Sequence, residues 1–92
     1  MHFQEFARDR IDFLNSDLDL ANTFVKLAIT ELSLKDREHC AALLQKARVA
    51  LETVRRLAAM RPPLPADETA QLAKRCDELE SSIQSVRPAT QL

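Results

Sequence analysis

Apolar residues in the first third of the chain recur at alternating spacings of four and three. This period predicts an amphipathic helix over about residues 3–33. The row runs without a slip through Ala7, Ile11, Leu14, Leu18, Ala21, Val25, Ala28 and Leu32. A second row repeats every seven residues beside it and contains Phe6, Phe13, Leu20 and Leu27. Together the two rows predict an apolar arc wide enough to contact two neighbouring helices.

The segment from Asn15 to Asp19 is the weak point of this long helix. Ser16 followed three residues later by Asp19 has the form of a capping box, which would start a new helix here. The apolar row passes through the segment in phase, which favours one uninterrupted helix. The alternative is a break at Asn15–Ser16, with the first piece folded back to give a monomer of four helices.

A second helix is predicted over about residues 36–60, with Ser33 or Asp36 as its N-terminal cap. Its apolar row contains Cys40, Leu44, Ala47, Leu51, Val54 and Ala58, flanked by Leu43, Ala50 and Leu57. Residues 61–65 contain three prolines and form a connector, because proline cannot continue the interior of a helix.

A third helix is predicted over about residues 66–87, with acidic residues in its first turn. Its narrow apolar seam contains Leu72, Cys76, Leu79, Ile83 and Val86, which suits a helix lying in the groove between two others. Pro88 is expected to end the helix, and residues 88–92 are expected to fray.

Composition supports this helical interpretation and excludes several classes of function. The 92 residues include no glycine, tryptophan or tyrosine. A dinucleotide-binding fingerprint and a P-loop both need glycines at fixed positions, so both are excluded. We therefore predict an all-α, antiparallel three-helix bundle that forms a single domain over residues 1–92. The protein is not expected to be an enzyme.

The charges are segregated along the chain, although the formal net charge is only −1. Residues 1–34 carry a net charge of −3, residues 35–61 carry +4, and residues 62–92 carry −2. A basic middle helix between two acidic ones suits antiparallel packing. The near-neutral total gives no general attraction to nucleic acid or to an anionic membrane, so neither is expected as a partner.

A basic edge on the second helix, formed by Arg48, Arg55, Arg56 and Arg61, is the one feature that suggests nucleic-acid binding. Recognition of a single-stranded nucleic acid also uses aromatic residues that stack on the bases, and this helix has none. A solvated face paired with the acidic helices is the preferred interpretation. No long apolar run and no secretory signal are visible, so a cytoplasmic location is expected.

Large and small residues alternate over residues 21–47 at a spacing found in one helical repeat family. The positions in order are Phe24, Leu27, Ala28, Cys40, Leu44, Lys46 and Ala47. This spacing resembles the tetratricopeptide repeat, a helix-turn-helix unit of about 34 residues. The resemblance implies one repeat-like hairpin within a small bundle, as in short uncharacterised bacterial helical proteins, and it carries no activity with it. Lys35 stands where the family usually has glycine, and Glu52 replaces its closing proline.

Cys40, Cys76 and His39 are the residues with metal-ligand or redox chemistry. Both cysteines lie on apolar rows, where a free cysteine behaves as a small hydrophobic residue. Adjacent helical residues point about 100° apart, so His39 and Cys40 cannot readily share a metal. We therefore expect two core cysteines and no metal or cofactor. The alternatives are a disulfide and a thiol- or metal-dependent regulatory protein that uses these three residues.

Arg10, Asp17 and Glu31 interrupt the apolar arc of the first helix. They could form a buried polar network or a row that recognises a partner. The simpler interpretation is that their long side chains reach solvent from the edge of a broad apolar face.

The first helix is predicted to be longer than the third, about 45 Å against about 32 Å at 1.5 Å per residue. Its N-terminal half would therefore extend beyond the third helix and expose Phe3, Phe6, Ile11 and Phe13. Such a patch is unusual on a monomer, and a two-fold dimer is the common way to cover it. We therefore expect a non-enzymatic protein–protein interaction or scaffold module that forms a homodimer and binds a further, unidentified protein.

Overall fold

The fold is a bundle of three long helices, seen in a computed structural model that describes the backbone of residues 2–90 and the side chains of residues 7–86. The helices are α1 (His2–Ser33), α2 (Arg37–Ala58) and α3 (Ala66–Thr90). They run up, down and up, and α1 and α2 share the most extensive contact. Residues 2–90 contain no strand. The predicted all-α three-helix fold is confirmed.

Helix α1 passes through the Asn15–Ser16 segment without a break, so the four-helix alternative is wrong. The Asn15 amide Nδ2 donates to the Ile11 carbonyl at 3.1 Å, inside the helix. Its Oδ1 accepts a hydrogen bond from Arg75 Nη1 of α3 at 2.7 Å, and Arg75 Nη2 also binds Asp19 Oδ1 at 2.7 Å. The polar segment that suggested a break is therefore where α1 is joined to α3.

The turn between α1 and α2 closes both helix ends without glycine. Lys35 takes the left-handed conformation with φ of 65°. Its amide binds the Leu32 carbonyl at 3.0 Å, and the Asp36 amide binds the Glu31 carbonyl at 2.9 Å. These two bonds form a Schellman motif, in which the left-handed position usually holds glycine. Of the two predicted caps it is Asp36 that caps α2, because its carboxylate accepts from the His39 amide at 3.0 Å.

A single apolar core runs along the axis of the bundle and follows the predicted rows. All five residues of the α3 seam are buried, as are the main rows of α1 and α2 over most of their length. The buried residues are Ile11, Leu14, Leu18, Ala21, Val25, Ala28, Cys40, Leu43, Leu44, Ala47, Leu51, Val54, Leu64, Leu72, Cys76, Leu79, Ile83 and Val86. Among the described side chains, none that is polar or charged is fully buried.

The ends of α2 and α3 differ from the predicted ones. Helix α2 ends at Ala58, two residues before the predicted end. The amides of Ala59 and Met60 donate to carbonyls three residues back, instead of four as in an α-helix. Helix α3 continues through Pro88 to Thr90, so the prediction that Pro88 ends it was wrong. Proline removes one amide donor and leaves the Gln84 carbonyl without its helical partner, but only two helical residues follow it.

The second apolar row of α1 does not pack against a neighbouring helix as predicted. Phe13, Leu20 and Leu27 are each about half exposed. Helix α3 contacts α1 on the side of Asn15, which lies about 160° around the helix from Phe13. Helix α3 therefore covers one side of the α1–α2 hairpin, and the other side remains exposed.

Replacing Lys35 by glycine should stabilise the protein. Glycine tolerates the left-handed conformation, which costs other residues about 1 kcal/mol or more, so we expect a net gain of about 0.5–1 kcal/mol. Thermal unfolding should show a rise in Tm of about 2–8 °C. Lys35→Ala is the control, because alanine keeps the Cβ atom and should gain nothing. An equal rise in both variants would contradict this account of the turn.

Candidate interaction surface

The main candidate site is a row of apolar side chains along α1 and the turn that follows it. Phe13, Leu20 and Leu27 each directly precede a buried residue, so they point about 100° away from the core. Their exposed fractions are 53%, 49% and 46%. Leu34 continues the seven-residue spacing, and its amide still binds the Thr30 carbonyl in the helical manner.

Contacts between α1 and α2 show which side of the hairpin this row occupies. Lys46 Nζ of α2 lies 5.9 Å from the centre of the Phe24 ring, and His39 Nδ1 lies 3.3 Å from Glu31 Oε2. Phe24 and Glu31 lie between the buried row of α1 and the exposed apolar row. The exposed row is therefore on the outer side of the α1–α2 contact.

Helix α2 adds Val49 to the same surface. Val49 follows Lys46 by one turn and is 52% exposed. It lies about 120° around α2 from Arg55, which faces α3 through Asp77 and Glu80 at 3.4 and 3.0 Å. We call the surface formed by Phe13, Leu20, Leu27, Leu34 and Val49 the open face of the hairpin.

A cavity of about 520 Å³ lies beside Phe13, at the end of the open face near the connector. Its lining residues are Ala7, Asp9, Arg10, Phe13, Pro62, Pro63 and Leu64. Arg10 Nη2 donates to the Pro62 carbonyl at 2.7 Å, while its buried Nε has no hydrogen-bond partner among the described residues. Arg10 therefore fixes the connector against α1 instead of belonging to a buried polar network.

The residues predicted to form the interaction surface are separated by the structure. Ile11 is 4% exposed and belongs to the core, so it cannot contribute to a surface. Phe13 lies on the open face. The side chains of Phe3 and Phe6 lie outside the described residues. Leu20, Leu27 and Leu34 extend the exposed row well beyond the predicted N-terminal half, and the seven-residue spacing in the sequence could have indicated this.

Both cysteines are free thiols in the core. Cys76 lines a small cavity together with Arg55 of α2. Arg55 lies fifteen residues beyond Cys40 along α2, which corresponds to about 22 Å. The two sulfurs therefore cannot form a disulfide within one chain. Burial raises the pKa of the Cys40 thiol, and the nearby Asp36 and Glu31 carboxylates raise it further. Burial is also the main cause of the raised pKa of Cys76.

Glu31, Asp36 and His39 form one cluster of possible metal ligands among the described residues, with ligand atoms within 4.8 Å of one another. Neither cysteine belongs to it. Structural contacts account for all three residues, since Asp36 caps α2 and Glu31 pairs with His39. Glu31 and His39 lie on different helices, and only the antiparallel register of α1 and α2 brings them together, so the sequence did not indicate this cluster.

The basic edge of α2 is partly neutralised in the fold. Arg55 forms ion pairs with Asp77 and Glu80 of α3, as segregation of charge along the chain predicted. The hydrogen bond from Arg55 lowers the pKa of the Glu80 carboxyl. Within the described part of the chain, no helix has both the length and the apolar composition needed to cross a membrane.

No family model, no curated protein and no solved structure matches this chain. The tetratricopeptide-like spacing is thus not supported by a family match.

The native thiols should react slowly. At pH 8 the raised pKa values leave less thiolate than in the unfolded chain, and burial blocks access of the reagent. We expect Ellman's reagent to modify Cys40 and Cys76 at least roughly 100-fold more slowly in buffer than in denaturant. Because only the unfolded thiols ionise readily, the free energy of unfolding should fall as the pH rises above about 8.5. Rapid native modification of both thiols would contradict their placement.

Cys40 should tolerate loss of volume better than gain. It is fully buried where α1 and α2 approach closely, so Cys40→Leu should cost about 1–3 kcal/mol from overpacking. Cys40→Ala removes one buried sulfur and should cost less. Urea unfolding of both variants measures the difference, and equal stabilities would argue against close helix packing at this position.

Proposed function

We propose that this protein is a non-enzymatic protein–protein interaction module that binds through the open face. The observation that carries the proposal is the exposed apolar row of Phe13, Leu20 and Leu27, repeated every seven residues along one side of α1. Such spacing places one anchor on every second turn of a helix. It is the pattern by which helices pack along one another or into a groove.

The energetic argument is that this surface is costly to leave in water. Burial of apolar surface contributes about 25 cal/mol per Å², and contiguous apolar patches on soluble proteins commonly mark interaction sites. The row recurs on every second turn from Phe13 to Leu27, whereas isolated exposed apolar residues need no explanation. The described residues form no cluster of catalytic groups that the core, the cap or an ion pair leaves unexplained.

We further propose that the protein self-associates through this surface as a homodimer. The predicted surface of Phe3, Phe6, Ile11 and Phe13 is revised, because Ile11 is in the core. Its centre moves toward Leu20 and Leu27, while Phe13 remains part of it. A further protein partner is compatible with the same face.

Three accompanying features belong to this proposal. The α1–α2 unit serves as a single tetratricopeptide-like hairpin, with Lys35 in the left-handed position where that family has glycine. The protein works in the cytoplasm, where buried thiols stay reduced. Nucleic acid is not a proposed partner, since Arg55 is already paired with α3. The regulatory alternative based on Cys40, Cys76 and His39 is not proposed, because the two thiols lie far apart along the bundle and His39 is paired with Glu31.

The test is the mass of the protein in solution. We expect light scattering at micromolar concentration to give the mass of two chains for the wild type. Leu20→Asp should weaken the dimer roughly ten-fold or more, because it places a charge in the centre of the apolar row. Ile29→Asp is the matched control: Ile29 is 48% exposed on the same helix but lies nearly opposite Leu27, so its mass should not change.

Circular dichroism should show unchanged helix content in both variants, since both positions are half exposed. A wild-type mass of one chain would contradict self-association. An equal effect of Leu20→Asp and Ile29→Asp would place the interface away from the open face.

A further inference from the structure

We infer that the open face binds a second copy of this chain, arranged so that α1 of each copy lies across α2 of the other. This inference rests on the proposed function. It adds the geometry of the complex, in which the two-fold axis runs parallel to the helices. The two hairpins then stack face to face as a four-helix bundle in which each helix is antiparallel to its two neighbours, and each α3 lies on the outside.

Two symmetric arrangements bring the open faces of two copies together. A two-fold axis perpendicular to the helices places α1 against α1 and α2 against α2 of the second copy. An axis parallel to the helices places α1 against α2 in both halves of the interface. Both are isologous, so apolar burial alone does not choose between them.

The charged residues near the open face favour the parallel axis. Near the open face, α1 carries the carboxylates of Asp9 and Asp17. On the same side of the hairpin, α2 carries Lys46 and Arg56 with one carboxylate, Glu38. The perpendicular axis would bring the α1 carboxylates of the two copies together, whereas the parallel axis places them against Lys46 and Arg56 of the second copy.

The register of the complex follows from contacts within one copy. The Phe24–Lys46 and Glu31–His39 contacts show which residues of α1 and α2 lie at the same height along the bundle. Counting four residues from Phe24 and Lys46 places Leu20 level with Ala50, and thus within one residue of Val49. A parallel two-fold axis preserves height, so Leu20 of one copy meets Val49 of the other.

Mixed disulfide formation tests this register directly. Leu20→Cys and Val49→Cys variants are prepared separately, mixed to allow exchange of subunits, and oxidised mildly. We expect a covalent dimer in the mixture to form roughly ten-fold faster than with either variant alone, since a disulfide needs Cα atoms about 4.4–6.8 Å apart. The native Cys40 and Cys76 are buried and do not compete. A mixture of Leu20→Cys and Ile29→Cys is the control and should not link.

The alternative geometry gives a different product. With a perpendicular axis, the two α1 helices run antiparallel across the interface. The row of Phe13, Leu20, Leu27 and Leu34 then meets its copy in reverse order, so Leu20 meets Leu27 of the second copy. Preferential linking of Leu20→Cys to Leu27→Cys in a dimeric wild type would overturn the inference and leave the proposed function intact. A monomeric wild type would overturn both.

Salt provides a second readout that uses the unmodified protein. Attraction between opposite charges is screened by salt, so the dissociation constant should rise about three-fold or more between about 50 mM and about 500 mM sodium chloride. Contact between like-charged helices predicts the opposite trend, because salt would relieve their repulsion. Analytical ultracentrifugation measures the constant, and a fall with added salt would overturn the inferred arrangement.

Discussion

The close approach of α1 and α2 is the contact on which the rest of the structure depends. Small residues at the interface make it possible, since Ala21, Ala28, Cys40 and Ala47 are all completely buried. Close approach lets the larger residues of both helices interdigitate around the axis, where dense packing maximises dispersion contacts. It also sets the register that brings Glu31 to His39. Both α3 and the open face are positioned relative to this pair.

Helix α3 provides enough apolar surface to cover one side of the hairpin and not the other. Its seam is narrow, and its other described residues are polar or alanine. Arg75 holds α3 on the side of Asn15 and Asp19, while Arg55 of α2 holds it through Asp77 and Glu80. Half-exposed ion pairs contribute little stability individually, and both sets lie on the side of the hairpin that α3 covers. The proposed function depends on this one-sided coverage.

Periodicity predicted the buried rows well, because a residue's position on a helix decides whether it can face a neighbour. The α3 seam and the main row of α1 lie in the core at nearly every position. The second row of α1 has an equally regular period, yet Leu20 and Leu27 are half exposed. A period shows that residues share a face, but it does not show that a neighbouring helix is present to cover that face. The predicted end of α3 at Pro88 was wrong, because the free-energy cost of a proline depends on how much helix follows it.

The sequence by itself determined the number of helices, the position of the turns and the residues that form the core, since these follow from local period, proline and capping residues. It also determined the segregation of charge along the chain. The tertiary structure alone decided that Asn15 joins α1 to α3 and that the second apolar row of α1, with Leu20 and Leu27, stays at the surface. The physical reason is that these outcomes depend on which side of the hairpin α3 occupies. That choice is made by contacts between residues about 60 positions apart in the sequence, such as Asn15 and Arg75.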